Sequence, residues 1–295
     1  MSTFLINPLT GYFGAEIIGN ITSIANYTLL GLLNIYAVLV FRNQILKTNQ
    51  FSLFAKTLGN PTLAHPVQEG LTLYPEILEV DSSKIGKNAK WHTDVSYTLN
   101  PPSISILQAM KLPRVGGDTL FSDLQISYKY LSPLIKKFVN NLEAVHKITP
   151  LAYFGEPFDE KNIDDKEKRE LYRKSLTLNP VVHPVIRIHP VSGEPTLFVN
   201  PGYTSHILNM SKIESEYLLR LLWEHSVKPE YTMRHHWAKG DVVLWDNTRT
   251  MHYAVDDYTS KRIMNRICIE GSIPYGYNNK KSREIENENW LEVII

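Results

Sequence analysis

The feature that most constrains this fold is a long succession of short apolar or alternating runs, bounded by turn residues such as Gly116-Gly117 and Pro201-Gly202. Runs of this length that end at Gly or Pro are typical of β-strands in a sandwich or barrel. The chain therefore predicts a β-rich domain built from many short strands. The predicted strands are Ala37–Phe41, Glu76–Val80, Ile104–Met110, Thr119–Ser122, Val181–Ile188, Thr196–Val199, Tyr231–Trp237, Asp241–Trp245 and Arg262–Glu270.

Helical patterns are fewer, and they predict helices that flank the strand-rich core. The run Thr48–Leu58 has Thr48 as its predicted N-cap and Gly59 directly after its last residue, where glycine ends many helices. The run Ser211–Ser226 starts with a serine that can cap the helix, and Glu214 occupies the position that completes a capping box. The expected fold class is therefore β-rich α+β.

The charge balance and the cysteine content limit the classes of function. With 31 Lys and Arg against 30 Asp and Glu, the formal net charge is +1, which argues against nucleic-acid binding and against a polybasic membrane mode. The most apolar stretch, Tyr27–Phe41, is shorter than the roughly 20 residues that span a bilayer. Cys268 is the only cysteine, so a disulfide framework is excluded and a reducing, cytoplasmic location is expected.

One densely charged segment, Asp159–Lys174, interrupts the strand-rich pattern. It is acidic at its start and basic at its end, as the helix dipole prefers. The segment is interpreted as a solvated surface helix or as part of a mobile lid on an insertion between strands, and the two interpretations are compatible. No linker or internal repeat divides the chain, so we expect a single domain over residues 1–295, with the lid insertion at about 151–180.

Three side chains in two separated segments are candidate metal ligands. In the segment WHTD, His92 and Asp94 would point to the same face of a strand and could bind one ion together. This spacing alone is weak evidence, because about one such pair arises by chance in a chain of this composition. His252, downstream of the predicted strand Asp241–Trp245, adds a third ligand. Two histidines and one carboxylate form the facial triad of non-haem Fe(II) oxygenases.

Two arginines on the last predicted strand indicate an anion site. Arg262 and Arg266 share one strand face with Met264, and isoleucines occupy the other face. Two guanidinium groups that point into a barrel are unfavourable unless each meets an anion. A carboxylate that accepts two hydrogen bonds is the natural partner of such a group.

These segments together carry a resemblance to a known family. The chain resembles the taurine dioxygenase (TauD/TfdA) family of Fe(II)- and 2-oxoglutarate-dependent dioxygenases, and the order and spacing of the segments are more specific than any one of them. The matching segments are WHTDVSY (91–97), GGDTLF (116–121), HPVIRIHPVSG (183–193), LFVNPGY (197–203), WDNTRTMHYA (245–254) and RIMNR (262–266).

The resemblance implies a double-stranded β-helix, a jelly-roll or cupin-like core, with flanking helices and a lid insertion. It also implies an iron site, a site for the co-substrate 2-oxoglutarate and a substrate pocket, with O₂ as the third reactant. The residues that match these sites are His92, Asp94 and His252 for Fe(II), Arg262 and Thr119 for 2-oxoglutarate, and Arg266, Asn88, Tyr203 and His65 for the substrate.

The expected reaction is hydroxylation of a small organic anion, with succinate and CO₂ as co-products. The anion is expected to be a sulfonate, as in taurine catabolism, or an alkyl sulfate, and a carboxylate stays open because Arg266 indicates only negative charge. Alternatively, the same iron chemistry serves desaturation, decarboxylation or hydroxylation in a secondary-metabolite pathway. A non-catalytic jelly roll that binds a metal or an anion is the alternative outside the enzymes. Members of the family are often dimers or tetramers, so a homo-oligomer is expected.

Overall fold

The computed structural model describes residues 4–83, 89–148 and 166–285, which form four β-sheets and flanking helices. The strands are β1 (Leu5–Pro8), β2 (Ala15–Ile18), β3 (Val38–Phe41), β4 (Leu78–Asp81), β5 (Ile104–Lys111), β6 (Thr119–Asp123), β7 (Glu143–His146), β8 (Val181–Pro184), β9 (Ile186–Ile188), β10 (Pro195–Leu197), β11 (Thr204–Ile207), β12 (Thr232–His235), β13 (Val242–Asp246), β14 (Thr250–Ala254), β15 (Ile263–Ile269) and β16 (Arg283–Glu284). The helices are α1 (Asn26–Tyr36), α2 (Thr48–Leu58), α3 (Leu124–Lys129), α4 (Pro133–Val139), α5 (Lys166–Leu176) and α6 (Lys212–Ser226).

The largest sheet has the strand order β1-β2-β3-β13-β5-β15-β4, and its two faces carry different residues. On the outer face, Ile106 and Ile267 pack in one apolar cluster with residues of α1 and α2. On the inner face, Leu107 and Met264 belong to a separate cluster. Successive side chains of a strand point to opposite faces, so one strand supplies both the helix-covered layer and the interior of the barrel.

The inner face packs against the three-stranded sheet β12-β6-β14. Phe121 on β6, Met233 on β12 and Trp245 on β13 are all buried in the same apolar cluster, which joins the two sheets. The arrangement is a sandwich of mainly antiparallel strands, with β2 and β3 as a parallel pair. Its strand-rich character agrees with the sequence prediction. A second core lies between the sheet β11-β7-β8-β16 and helices α3, α4 and α6.

Both predicted helices form, with one correction at an N-cap. Ser211 caps α6 as expected: its hydroxyl accepts from the Glu214 N–H, and the Glu214 carboxylate accepts from the Ser211 N–H at 2.9 Å. The prediction of Thr48 as the N-cap of α2 is wrong. Lys47 takes that position, and its N–H donates to the side-chain oxygen of Gln50 at 2.9 Å. The glutamine three residues on satisfies the free N–H, so the helix begins one residue earlier than the threonine suggested.

Several predicted strands are shorter than expected, and for two of them the physical reason is visible. The run Val181–Ile188 divides at Val185, whose N–H donates to Leu142 and whose carbonyl accepts from Phe198, so the chain passes from one sheet to another. The run Tyr231–Trp237 contains only β12, because Pro229–Tyr231 forms a 3₁₀ turn before it.

The predicted lid insertion falls partly outside the described residues. Helix α5 covers the end of the charged segment Asp159–Lys174, as the helix prediction requires, and the earlier part of the segment is outside the described ranges. None of the helices in the described ranges has both the length and the apolar character needed to cross a membrane.

Candidate active site

The two candidate histidine ligands are joined through their backbones. His252 lies on β14, and His92 forms an isolated antiparallel bridge to it. The His92 N–H donates to the His252 carbonyl at 2.9 Å, and the His252 N–H donates to the His92 carbonyl at 2.8 Å. The centroids of the two rings are 4.1 Å apart. The reciprocal hydrogen bonds therefore hold the two backbones together without help from a ligand.

Asp94 reaches the histidines through a turn, so the prediction that His92 and Asp94 share a strand is wrong. Val95 has a φ of 54°, in the left-handed region that β-branched residues rarely adopt. Asn247 stabilises this turn: its Oδ1 accepts from the Asp94 N–H at 2.9 Å, and its Nδ2 donates to the Asp94 carbonyl at 3.0 Å. The asparagine side chain thus takes the place that a neighbouring strand would occupy.

The Asp94 carboxylate presents one oxygen to the histidines. Its Oδ1 lies 3.8 Å from Nε2 of His92 and 4.0 Å from Nε2 of His252, and it accepts from Nη1 of Arg266 at 2.8 Å. Its Oδ2 accepts from the Ser105 hydroxyl at 2.7 Å. Burial alone would raise the pKa of Asp94, but the Arg266 charge, the two histidines and the Ser105 hydroxyl hold that pKa well below its usual range. The carboxylate is therefore ionised.

Both imidazoles are neutral and buried. Nδ1 of His92 lies 2.8 Å from the Lys90 carbonyl, which can only accept, so Nδ1 carries the proton and Nε2 keeps its lone pair. Burial lowers the pKa of His92 and lowers that of His252 to about 3. The ligand atoms of His92, Asp94 and His252 all lie within 4.8 Å of one another, close enough for one ion to contact all three. Two neutral imidazoles and one carboxylate fit a divalent iron ion.

A second buried cation lies at the start of β15. Arg262 is only 6% exposed, and its Nε and Nη2 are buried without a hydrogen-bond acceptor among the described residues. Burial lowers the pKa of its guanidinium. Gly117, with a φ of +75°, approaches so closely that a Cβ there would lie 3.2 Å from Cδ of Arg262. Because buried donors are almost always satisfied, these N–H groups are suited to an anion that enters the site.

Trp237 links Arg262 to the candidate hydroxyl of Thr119. The indole Nε1–H donates to Oγ1 of Thr119 at 2.9 Å, and Cζ of Arg262 lies 5.7 Å from the centroid of the indole ring. Since the indole can only donate, the Thr119 hydroxyl accepts from it and keeps its own proton for another acceptor. One indole thus contacts both the Thr119 hydroxyl and the Arg262 guanidinium.

Of the remaining predicted substrate residues, Tyr203 lies beside His92 and His65 contacts Tyr97. Asn88 is outside the described residues. The Tyr203 ring is perpendicular to that of His92 at 5.9 Å and lies 4.7 Å from that of Tyr97. His65 Nδ1 accepts from the Val67 N–H at 3.2 Å, so its Nε2 carries the proton that it donates to the Tyr97 hydroxyl at 2.9 Å. Burial lowers the pKa of His65 to about 3, so this histidine is neutral too.

Several residues that the sequence interpretation did not select support the site. Gly202 was identified only as part of a turn, yet a Cβ there would lie 2.8 Å from Cβ of His92, so only glycine permits this approach. Asn247 and Ser105 hold Asp94, and Trp237 holds Thr119. The segment WDNTRTMHYA contains Asn247, but nothing in the spacing of Ser105 or Trp237 marks either residue.

Comparison with known proteins identifies the family of this chain and agrees with the fold. The family described as "Taurine catabolism dioxygenase TauD, TfdA family" matches residues 5–268. The alkylsulfatase of Acinetobacter baylyi is 33% identical over 96% of this chain and 92% of its own length. An alpha-ketoglutarate-dependent sulfate ester dioxygenase of Pseudomonas putida is 32% identical over 94% of this chain and 93% of its own.

Solved structures give the same result for the architecture. The crystal structure of a taurine dioxygenase from Burkholderia xenovorans superposes with a TM-score of 0.80 at 32% identity, and the match covers 96% of this chain and 97% of that one. The predicted jelly-roll fold is therefore confirmed. With a family match across most of its length and relatives of this similarity, the chain belongs to the TauD/TfdA family of dioxygenases.

Proposed function

We propose that this protein is an Fe(II)- and 2-oxoglutarate-dependent dioxygenase that hydroxylates a sulfate ester or sulfonate with an apolar chain. The observation that carries the proposal is the pairing of a compact His-Asp-His cluster with a buried arginine, Arg262, that has no acceptor among the described residues. The cluster suits a divalent metal, and the arginine suits the far carboxylate of a dicarboxylic co-substrate.

His92, Asp94 and His252 would hold the iron. Their backbones are fixed by the reciprocal His92–His252 hydrogen bonds and by the Asn247 side chain, so little reorganisation is needed on binding. When bound, Fe(II) and 2-oxoglutarate couple the reduction of O₂ and the loss of CO₂ from the co-substrate, with succinate as product, to hydroxylation of a substrate C–H bond.

Arg262 and Thr119 would orient the co-substrate. The guanidinium donates to the far carboxylate, and the Thr119 hydroxyl donates to the same group while Trp237 holds it in place. A carboxylate bound at two points has one orientation, so the oxo-acid end of the molecule is directed consistently.

Arg266 and a neighbouring apolar cluster support a choice of substrate. Arg266 supplies the positive charge on the histidine side of the site, where it contacts Asp94. Val95, Tyr97 and Tyr203 are buried together, and Ile148 and Leu178 pack against them. An alkyl chain gains from contact with this cluster, whereas the ammonium group of taurine does not. The names of the two sulfate-ester relatives agree with this preference.

The sulfate ester also defines a diagnostic product. Hydroxylation of the carbon that carries the sulfate gives a hemiacetal-like ester, which breaks its C–O bond to release an aldehyde and inorganic sulfate. The corresponding sulfonate breaks its C–S bond and releases sulfite. The amount of sulfate or sulfite released therefore measures the number of turnovers in which the substrate is hydroxylated.

The test is 2-oxoglutarate turnover with Fe(II) under air, with hexyl sulfate, hexanesulfonate, hexanoate and taurine supplied in turn. We expect hexyl sulfate or hexanesulfonate to stimulate succinate formation most, with sulfate or sulfite released in equal amount. His92→Ala should abolish both products, while Arg266→Gln should raise the KM for the anion. Arg220→Gln, which removes a guanidinium whose side chain is 73% exposed, serves as the matched control and should leave both constants unchanged.

Two results would contradict the proposal. A preference for taurine over the hexyl compounds would overturn the assignment of an apolar chain. Failure of the wild-type protein to bind Fe(II) or 2-oxoglutarate in anaerobic titrations would overturn the dioxygenase activity itself.

A further inference from the structure

Ser105 carries a buried hydroxyl among mainly apolar neighbours. It lies on β5 and is 0% exposed, with Trp245 of β13 and Cys268 of β15 as its partners in register. The next residues of β5 on the same face, Leu107 and Ala109, belong to the inner apolar cluster. A hydroxyl in such surroundings is unfavourable unless it has a hydrogen-bond partner, so its partner indicates why a serine is present.

That partner is the candidate metal ligand. The Ser105 hydroxyl donates to Oδ2 of Asp94 at 2.7 Å, and Sγ of Cys268 lies 3.5 Å from the Ser105 oxygen. Burial raises the pKa of the Cys268 thiol to about 11, so the thiol is protonated at neutral pH. Because the serine proton is directed at Asp94, the thiol is the donor to the serine. Two consecutive hydrogen bonds therefore end on one oxygen of the carboxylate.

The two oxygens of Asp94 are thereby made different. Oδ1 faces Nε2 of both histidines, while Oδ2 is held on the side of β5 by Ser105. Without that hydrogen bond the carboxylate could rotate and offer both oxygens to an ion. A second carboxylate oxygen on the ion would compete with the oxo-acid co-substrate and with O₂ for the remaining ligand positions.

We infer that Ser105 is a positioning residue that holds Oδ2 of Asp94 away from the metal, so that the ion meets a single carboxylate oxygen. The inference rests on the proposed function, since it requires an ion between the three ligands.

The experiment is an anaerobic Co(II) titration of the metal-free protein, followed by its visible absorption spectrum and by the binding of 2-oxoglutarate to the Co(II)-loaded form. Ser105→Ala removes the hydroxyl, and Ser105→Cys replaces it with a weak donor of similar size, so a packing defect in one variant can be recognised in the other. Ser127→Ala is the matched control. Ser127 is also 0% exposed, and its hydroxyl donates to that of Ser226 at 3.0 Å, away from the ligands.

We expect both Ser105 variants to bind Co(II) about 10- to 100-fold more weakly, the range for loss of a residue that orients a metal ligand. Their Co(II) spectra should also differ from that of the wild type, and 2-oxoglutarate should bind the loaded variants more weakly. The melting temperature of each metal-free protein shows that it is folded. A purely structural serine would lower that temperature without changing the spectrum.

The inference is overturned if the wild type binds Co(II) and both Ser105 variants give the same affinity and spectrum, or if Ser127→Ala reproduces their changes. Absence of metal binding by the wild type would overturn the proposed function instead, so the two failures are distinguishable.

Discussion

The two ends of the candidate site differ in how their charges are satisfied. At the carboxylate end, formed by His92, Asp94, His252 and Arg266, the Asp94 oxygens accept from Arg266 and Ser105. The Arg266 guanidinium is paired with Asp94. At the arginine end, formed by Thr119, Trp237 and Arg262, no carboxylate of the described residues pairs with the Arg262 guanidinium, and its Nε and Nη2 are buried without an acceptor there.

This difference predicts how each end of the site affects the stability of the ligand-free protein. A charge that is paired in the free protein contributes to its stability, and removing one partner leaves the other buried alone. A charge that is buried without an acceptor destabilises the free protein, and that cost is recovered when an anion binds. The carboxylate end should therefore respond to mutation mainly in stability and metal affinity, and the arginine end mainly in ligand binding.

The largest effect is expected for loss of the Asp94 carboxylate. Asp94→Ala leaves Arg266 next to two imidazoles without its anion, and breaking a buried pair in this way typically costs about 3–5 kcal/mol. The free energy of unfolding, measured by urea denaturation of the metal-free protein, should fall by about that amount. Co(II) or Fe(II) binding should be lost in the same preparation.

The exposed pair Arg220–Glu224 provides the control for this substitution. Its side chains are 73% and 66% exposed, so Glu224→Ala should change neither the unfolding free energy appreciably nor the metal affinity. Equal unfolding free energies for Asp94→Ala and the wild type would show that the carboxylate end is not held by its ion pair.

The arginine end should give the opposite pattern. Arg262→Gln removes a buried charge without an acceptor among the described residues, so the ligand-free protein should be as stable as the wild type or more so. Saturating 2-oxoglutarate at 100 times its Kd should stabilise the metal-loaded wild type by about 2.7 kcal/mol and the variant by far less. Thermal unfolding with and without 2-oxoglutarate measures this, and equal stabilisation of both proteins would contradict it.

Arg266 should lie between these extremes. Arg266→Gln removes a charged hydrogen bond to Oδ1 of Asp94, worth about 2 kcal/mol, while the metal ligands and Arg262 stay in place. The metal-free variant should therefore be less stable than the metal-free wild type. The metal-loaded variant should bind 2-oxoglutarate with an unchanged Kd and require more of the anionic substrate for half-maximal rate. A weakened 2-oxoglutarate Kd in this variant would mean that the two arginines do not act on separate ligands.

The sequence predicts the chemistry of both ends better than the way the chain holds them. Alternation along β15 places Arg266 on the same face as Met264, which belongs to the inner apolar cluster. Arg262 lies directly before the strand, and the register with β5 shifts between Ile263 and Met264. The same rule failed for His92 and Asp94, because the Asn247 side chain replaces a strand partner and forces a turn at Val95. Local periodicity contains no information about a contact between residues this far apart in the chain.

The supporting residues were missed for a related reason. A serine in an apolar strand and a tryptophan after β12 have ordinary local patterns, and only the packed sheets bring Ser105 to Asp94 and Trp237 to Thr119. The sequence identifies Gly202 as a turn residue. Only the tertiary fold brings His92 so close that a Cβ at position 202 would not fit. The candidate ligands can be chosen from the chemistry of their side chains, whereas the residues that hold them in place are brought there only by the topology of the fold.

The last effect concerns the neutral imidazoles that burial produces, both at the carboxylate end and elsewhere in the protein. His146 contacts Ser96 and Thr204, and burial lowers its pKa to about 3, the same value as for His252. A low histidine pKa is therefore a consequence of burial here and is not in itself a sign of a metal ligand. Between pH about 6.5 and about 3 the unfolded chain takes up a proton at each such histidine while the folded protein does not.

Stability should therefore fall as the pH is lowered through that window, by up to about 1.4 kcal/mol per pH unit for each buried histidine. His146→Gln removes one of these protons, so its unfolding free energy, measured by urea denaturation from pH 7 to pH 4.5, should depend less steeply on pH by about that slope. Ser127→Ala, which loses a buried hydroxyl but no titrating group, should shift the curve without changing its slope. Parallel curves for His146→Gln and the wild type would contradict this prediction. They would mean that His146 takes up its proton in the folded state as readily as in the unfolded chain. Burial would then not explain the neutral imidazoles at the metal site.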